Sequence, residues 1–296
     1  MENVQSIEMP ILLQYPPQQG RKPTSIPDTT QFSSVTRRLF GVPCATPDQA
    51  YHISNHNELY LLHLHVPPHL RNYIPTKVLA RVSTDAKTCS DMSMESEIAT
   101  MVFVRSRTVI PVPMVYGYCP TRENAIGQPF SIISFAEGEI MSSSVWEDLS
   151  LDTKLRTIRD YARIILELSK LKFDRIGSLY FTPGAAPLYS YHLGPVAWCK
   201  PESEIRRKHG PYDRGPWKVS ANWLRAALSE EINFMEKMPH LALSTYKCRT
   251  GDDRRWRLAQ QVLPRLRDRV ADTIEDPLDR CKLGPFVLAH MNFNPQ

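Results

Sequence analysis

The chain has 296 residues, of which 42% are hydrophobic, and it carries a formal net charge of +5 at neutral pH. This length and composition favour a folded protein with a sizeable core, and no run approaches the roughly 18 consecutive apolar residues of a membrane-spanning helix. The N-terminus lacks the basic and apolar segments of a signal peptide, so we expect a cytoplasmic protein without a membrane partner.

Residues 1–35 are rich in Pro, Gln, Ser and Thr. Such a segment buries little apolar surface, so it is predicted to form a disordered arm. The first strand signal follows at Leu59–Val66, and the second at Lys77–Val82. In the second strand the alternation of side chains places Val78, Ala80 and Val82 on one face, whereas Lys77 and Arg81 share the other.

A helix is predicted over about residues 91–105, where Met94, Ile98 and Met101 or Val102 recur at helical spacing. The prolines of Val109–Pro113 predict an extended segment after it. An apolar strand is predicted at Phe130–Phe135, and a turn at Glu137-Gly138.

From Asp152 the apolar residues take a helical period, with one stripe formed by Leu155, Ile158, Ala162, Ile165 and Ser169. Further helices are predicted at about 220–237 and 254–271, the second broken or kinked near Pro264, and a short buried strand at Gly284–Ala289. Strands before helices indicate an α+β class. We therefore expect an antiparallel-sheet N-lobe over residues 36–137 and a mainly helical, incomplete C-lobe over residues 138–296.

Three motifs occur in an order typical of one family. They are the run Glu97–Pro113 (EIATMVFVRSRTVIPVP), the segment Ile176–Leu179 (IGSL), and Gly284–His290 (GPFVLAH). Together they resemble the aminoglycoside-phosphotransferase-like enzymes of fungi, over about residues 50–296. The resemblance implies a protein-kinase-like fold that binds ATP and magnesium and phosphorylates the hydroxyl of a small molecule.

The resemblance also implies roles for individual residues. Glu97 matches the helix glutamate that pairs with a basic residue of the third strand, with Glu95 as an alternative. Arg81 matches the basic residue, which is lysine in many kinases, and Lys77 on the same strand face is a second candidate. Ile133 and Phe135 lie in the segment that resembles the hinge, where backbone groups hydrogen-bond adenine.

Several departures from the family pattern predict weak or absent catalysis. His290 is present, but Asn292 occupies the position of the aspartate that accepts the proton of the substrate hydroxyl, and a neutral carboxamide has little basicity. The turn before Leu59 contains no glycine to let phosphates approach the backbone. The metal-binding asparagine of the pattern would follow Gln296, so no metal ligand is assigned, and we expect a truncated, inactive pseudokinase.

Other functions are less favoured by the sequence. A non-catalytic nucleotide-binding or protein-interaction module on the same scaffold is the main alternative. The basic segments carry interspersed acidic residues and fit a solvated helix face better than a nucleic-acid site. His63 and His65 share a strand face, but surface histidines explain them better than a zinc site does. The cysteines are too scattered to predict disulfides.

Overall fold

The computed structural model describes residues 12–17, 26–54, 57–83, 91–138, 141–183, 190–197, 212–246, 253–274 and 285–289. The chain forms two compact units. One comprises Met1–Leu168, Leu179–His192 and Ala289–Gln296, and the other Ser169–Ser178 and Leu193–Leu288.

The first unit contains a six-stranded sheet within the described residues. Its strands are β1 (Leu13–Gln14), β2 (His52–Ile53), β3 (Asn57–His63), β4 (Lys77–Ser83), β5 (Val115–Cys119) and β6 (Phe130–Ser134). Their order is β1-β5-β6-β4-β3-β2, with β1 and β5 parallel and the other neighbours antiparallel. The predicted α+β class and antiparallel sheet are confirmed.

The helices of this unit are α1 (Phe32–Phe40), α2 (Asp91–Arg107), α3 (Ser143–Asp148) and α4 (Leu151–Lys170, whose last two residues belong to the second unit). Short 3-10 turns occur at Thr29–Gln31 and Pro68–Leu70. Most of α4 groups with the sheet in the first unit. The lobe boundary predicted after Glu137 stays a prediction.

The two faces of the sheet bury different sets of residues, because side chains alternate along each strand. One face carries the larger core, which includes Leu62, Val78, Ala80, Val82, Phe130 and Ile132. On the other face α2 packs against β5 and β6 through Met94, Ile98 and Val102, which are all buried. Both the predicted helix and the predicted alternation along β4 are therefore present.

The N-terminal segment differs from the predicted disordered arm wherever it is described. Strand β1 pairs with β5, and Phe32 and Val35 are buried in the larger core. The Tyr15 hydroxyl donates a hydrogen bond of 2.8 Å to the Val35 carbonyl. Composition predicted disorder because the segment has few apolar residues, but those few complete the core over the sheet.

The second unit is mainly helical in its described part. Its helices are α5 (Ser220–Lys237), α6 (Pro239–Tyr246) and α7 (Arg254–Ile274). Phe234, Met235 and Ala242 form its core, against which Trp256 and Leu263 pack. Pro264 does not break α7, because a proline removes one backbone donor while packing on the neighbouring helix holds the remaining turns.

Four further short strands occur among the described residues. Strands β7 (Lys172–Phe173) and β10 (Phe286–Val287) pair antiparallel, and β8 (Ser178–Phe181) pairs with β9 (Tyr191–Gly194). The buried strand predicted at Gly284–Ala289 is shorter and less buried than expected, because it pairs with a single two-residue strand. Val287 is exposed and Phe286 is half-buried.

Candidate functional site

An ion pair joins β4 to α2 on the sheet face opposite the larger core. Arg81 lies on β4 between Leu59 of β3 and Ser131 of β6. Its guanidinium Nη1 donates a hydrogen bond to the Glu97 carboxylate. The Arg81 side chain is 21% exposed and that of Glu97 is 40% exposed, so the pair is partly shielded from water but accessible to a ligand.

Helix α2 holds Glu97 in this position through its neighbours in the sequence. Ile98 is fully buried, and Met94 and Val102, one turn to either side of it, are buried against β5. These contacts fix the rotation of the helix about its axis, because residues four apart lie on one face. Glu97 is therefore directed toward β4.

Lys77, the second basic candidate, lies at the other end of β4. It shares the sheet face of Arg81, but four residues of extended strand separate the two by about 13 Å. Lys77 is exposed and lies opposite His63 of β3. The structure therefore brings Arg81, and not Lys77, to Glu97.

The residues predicted to line an adenine site lie on the same sheet face. Ile133 lies directly opposite Leu79, two residues before Arg81, and is half-buried. The Ser134 amide donates to the Met114 carbonyl at 2.8 Å, and the Met114 amide donates to Ser134 Oγ at 2.9 Å. The end of β6 is thus held in place by two hydrogen bonds.

An aromatic contact that the sequence did not predict lies beside this segment. The ring of Phe135 meets that of Tyr51 edge to face, with centroids 6.0 Å apart and planes at 86°. Tyr51 also lines a cavity of about 450 Å³ together with Leu61, His63 and the residues 45–50. Leu61 lies opposite Leu79, so this cavity opens on the sheet face of Arg81.

Hydrogen bonds between Ser54 and Asn57 join the described ends of the turn between β2 and β3. Ser54 Oγ donates to the Asn57 carbonyl and accepts from the Asn57 amide, both at 3.1 Å. The Ser54 amide also donates to the Asn57 carbonyl at 2.9 Å. The Asn57 amide is therefore already used in a hydrogen bond and is not offered to a phosphate.

Two polar residues on the neighbouring strands β6 and β5, Ser131 and Tyr118, were not predicted from the sequence. Ser131, directly opposite Arg81, is 1% exposed, and its Oγ has no hydrogen-bond partner within the described part of the chain. Tyr118 lies opposite Ser131. Burial, the Glu95 carboxylate and Cys119 raise the pKa of Tyr118 to about 12. Strand alternation would have identified Ser131, but only the tertiary structure shows its missing partner.

The remaining predicted site residues cannot be placed in this geometry. His290 and Asn292 lie outside the described residues, so their predicted roles stay predictions. In the described ranges, no group of three His, Cys, Asp or Glu side chains could hold a metal ion. Within the same ranges no helix is both long and apolar enough to cross a membrane.

The chain matches the profile of one protein family and is similar to several known proteins. The profile of the phosphotransferase enzyme family matches residues 76–296, which include Arg81, Glu97, Ile133 and Phe135. A subtelomeric hrmA-associated cluster protein of Aspergillus fumigatus is 29% identical over 192 residues, covering 60% of this chain and 37% of that protein.

A second relative has a different name. The protein "altered inheritance of mitochondria protein 9, mitochondrial" of Meyerozyma guilliermondii is 25% identical over 214 residues, covering 65% of this chain and 34% of that protein. The chain thus spans about a third of the length of these curated relatives. A solved structure from Ralstonia eutropha, designated an aminoglycoside phosphotransferase, shows 20% identity and a TM-score of 0.35, covering 49% of this chain and 38% of that one.

Proposed function

The chain belongs to the phosphotransferase enzyme family, and we propose that its sheet binds ATP through the Arg81–Glu97 pair. The observation that carries this proposal is the contact itself. It joins a basic residue of a central antiparallel strand to a helix glutamate, inside the matched region. A guanidinium presents a planar fork of donors that suits phosphate oxygens, and Glu97 would hold that fork in one orientation.

The adenine ring would lie farther along the same sheet face. Leu61 and Leu79 provide an apolar surface there, and the Tyr51–Phe135 contact borders it. We propose that backbone groups of the segment from Ile133 to Ala136 hydrogen-bond adenine, as the family resemblance implies. Two hydrogen bonds between Ser134 and Met114 support this, because a fixed backbone positions its donors and acceptors before a ligand arrives.

The family activity, ATP-dependent phosphorylation of a small-molecule hydroxyl, is proposed to be weak or absent in this chain. Asn292 cannot accept a proton as the aspartate of the family pattern does. The alternative function is therefore a non-catalytic nucleotide-binding or protein-interaction module. The hydrogen bond from the Asn57 amide to Ser54 Oγ favours this alternative, because that amide is then not offered to a phosphate. A cytoplasmic location remains part of the proposal.

Isothermal titration calorimetry with ATP tests the proposal. We expect weak binding that Arg81→Ala lowers by about tenfold or more, because a charge-assisted contact to phosphate is lost. Arg257→Ala is the matched control, because Arg257 on α7 of the second unit also forms an exposed ion pair, with Asp253 just before that helix. Added magnesium should change the affinity little.

The outcomes separate the two functions. Equal ATP affinity in wild type and Arg81→Ala would contradict the assignment of the site. Binding without transfer to any acceptor would support the non-catalytic module. Tight, magnesium-dependent binding would show that phosphate and metal are held by groups other than those proposed here.

A further inference from the structure

Helix α4 carries a row of apolar side chains that remains exposed. Leu151, Leu155, Ile158 and Ile165 are 72%, 50%, 54% and 47% exposed, and Ala162 between the last two is exposed as well. Their spacing alternates between four and three residues. This spacing is the a/d seam of a coiled coil, and an exposed apolar surface of such length usually marks an interface.

We propose that this row is the contact surface of a homodimer, in which α4 packs antiparallel against α4 of a second copy. The part that makes the contact, the α4 seam, consists of Leu151, Leu155, Ile158 and Ala162. In the heptad notation of coiled coils, Leu155 and Ala162 occupy a positions, and Leu151 and Ile158 occupy d positions. In antiparallel coiled coils an a residue of one helix packs beside a d residue of the other. Leu155 then packs against Ile158 of the second copy, and Leu151 packs against the smaller Ala162.

The charged residues beside the seam select this arrangement. Asp152 and Arg159 both lie at e positions, and e positions face each other in an antiparallel pair. In the register that places Leu155 beside Ile158, Asp152 faces Arg159 of the second copy. Two-fold symmetry repeats the contact. Both side chains are exposed, although Asp152 also pairs with Arg156 within its own helix.

Alternative pairings bring like charges together. In a parallel pair the g residue Lys154 would face Arg159 of the second copy. An antiparallel pair shifted by one heptad, with Leu155 beside Ile165, would place Arg159 opposite its own symmetry mate. Both arrangements are disfavoured by repulsion. The charged residues of α4 therefore favour pairing with α4 of a second copy in this one antiparallel register.

Sedimentation equilibrium of the purified full chain over a wide concentration range tests the proposal. We expect a reversible dimer that Ile158→Glu abolishes, because each dimer would bury two unpaired carboxylates. Asp152→Arg and Arg159→Asp should each weaken the dimer by about tenfold, because two attractive contacts become repulsive. The double variant Asp152→Arg/Arg159→Asp should recover most of the wild-type affinity.

Matched controls keep the result interpretable. Arg257→Asp reverses a charge on the exposed face of α7 and should leave the dimer unchanged, and circular dichroism checks that each variant keeps its helices. A monomer at every concentration would overturn the proposal. It would also be overturned by a dimer that tolerates Ile158→Glu, or by charge reversals that the double variant does not rescue.

Discussion

Arg81 on β4 and Glu97 on α2 form an ion pair although 16 residues separate them in the sequence. The sheet holds Arg81 and the buried side of α2 holds Glu97, so each partner is positioned by a different element. This contact links the packing of the first unit to the proposed binding of a nucleotide.

A double-mutant cycle should measure the strength of this contact. We expect Arg81→Ala, Glu97→Ala and the double variant to give a coupling energy of about 0.5–1 kcal/mol in urea denaturation, because both side chains are partly solvated. The exposed Asp160–Arg163 pair on α4, which lies outside the proposed α4 seam, is the matched control, with about 0.2–0.5 kcal/mol expected. A coupling near zero for Arg81 and Glu97 would mean that the pair does not persist in solution.

Phosphotransfer should be undetectable with the purified chain. A positioned general base contributes about 10²–10⁴ in rate, and Asn292 cannot supply one. A radiolabelled ATP assay against a panel of hydroxyl-bearing acceptors measures this directly. Transfer that is clearly above background and is lost in Glu97→Ala would overturn the expectation, since it would require both an intact site and a different base.

The N-terminal segment should contribute to the stability of the first unit. Phe32 is fully buried, so Phe32→Ala should lower the free energy of unfolding by about 3–5 kcal/mol. Val109 is 87% exposed, and Val109→Ala should change it by less than about 0.5 kcal/mol. Urea denaturation followed by tryptophan fluorescence distinguishes the two. Equal effects would support the disordered arm that composition predicts.

Alkaline pH should destabilise the protein partly through Tyr118. Burial, Glu95 and Cys119 raise the pKa of Tyr118 from 10.0 to about 12. The unfolded chain loses this proton at lower pH than the folded one, so the contribution of Tyr118 to stability is full below pH 10 and declines as pH rises toward about 12. The slope for one proton is up to about 1.4 kcal/mol per pH unit.

Comparison of Tyr118→Phe with wild type isolates this effect. Denaturation at about pH 9 and about pH 11 should show a smaller loss of stability in the variant, because its ring cannot ionise. Tyr73→Phe removes a hydroxyl from an exposed ring and serves as the control. An equal loss in Tyr118→Phe and wild type would assign the alkaline transition to other groups.

The sequence by itself determined the class of the fold, the identity of the main elements and the family. Apolar residues at helical spacing predicted α2, α4, α5 and α7. Alternation along β4 also predicted that Arg81 would leave the core face, because side-chain period follows from local backbone geometry alone. The short strands β1 and β2 escaped prediction, because two residues hold too little periodicity. Strand β5 also escaped prediction, because all five of its residues are buried and show no alternation.

Only the tertiary structure decided which candidates meet. Lys77 and Arg81 share one face of β4, so the alternation of side chains does not show which of them pairs with Glu97. The buried contacts of α2 bring Glu97 to Arg81 and not to Lys77. Two further features depend on pairings between distant parts of the chain: the contact between Tyr51 and Phe135, and the burial of Phe32, which belongs to a segment of disorder-like composition. Such contacts depend on how the helices and strands pack together. The secondary-structure propensity of a local segment does not determine that packing.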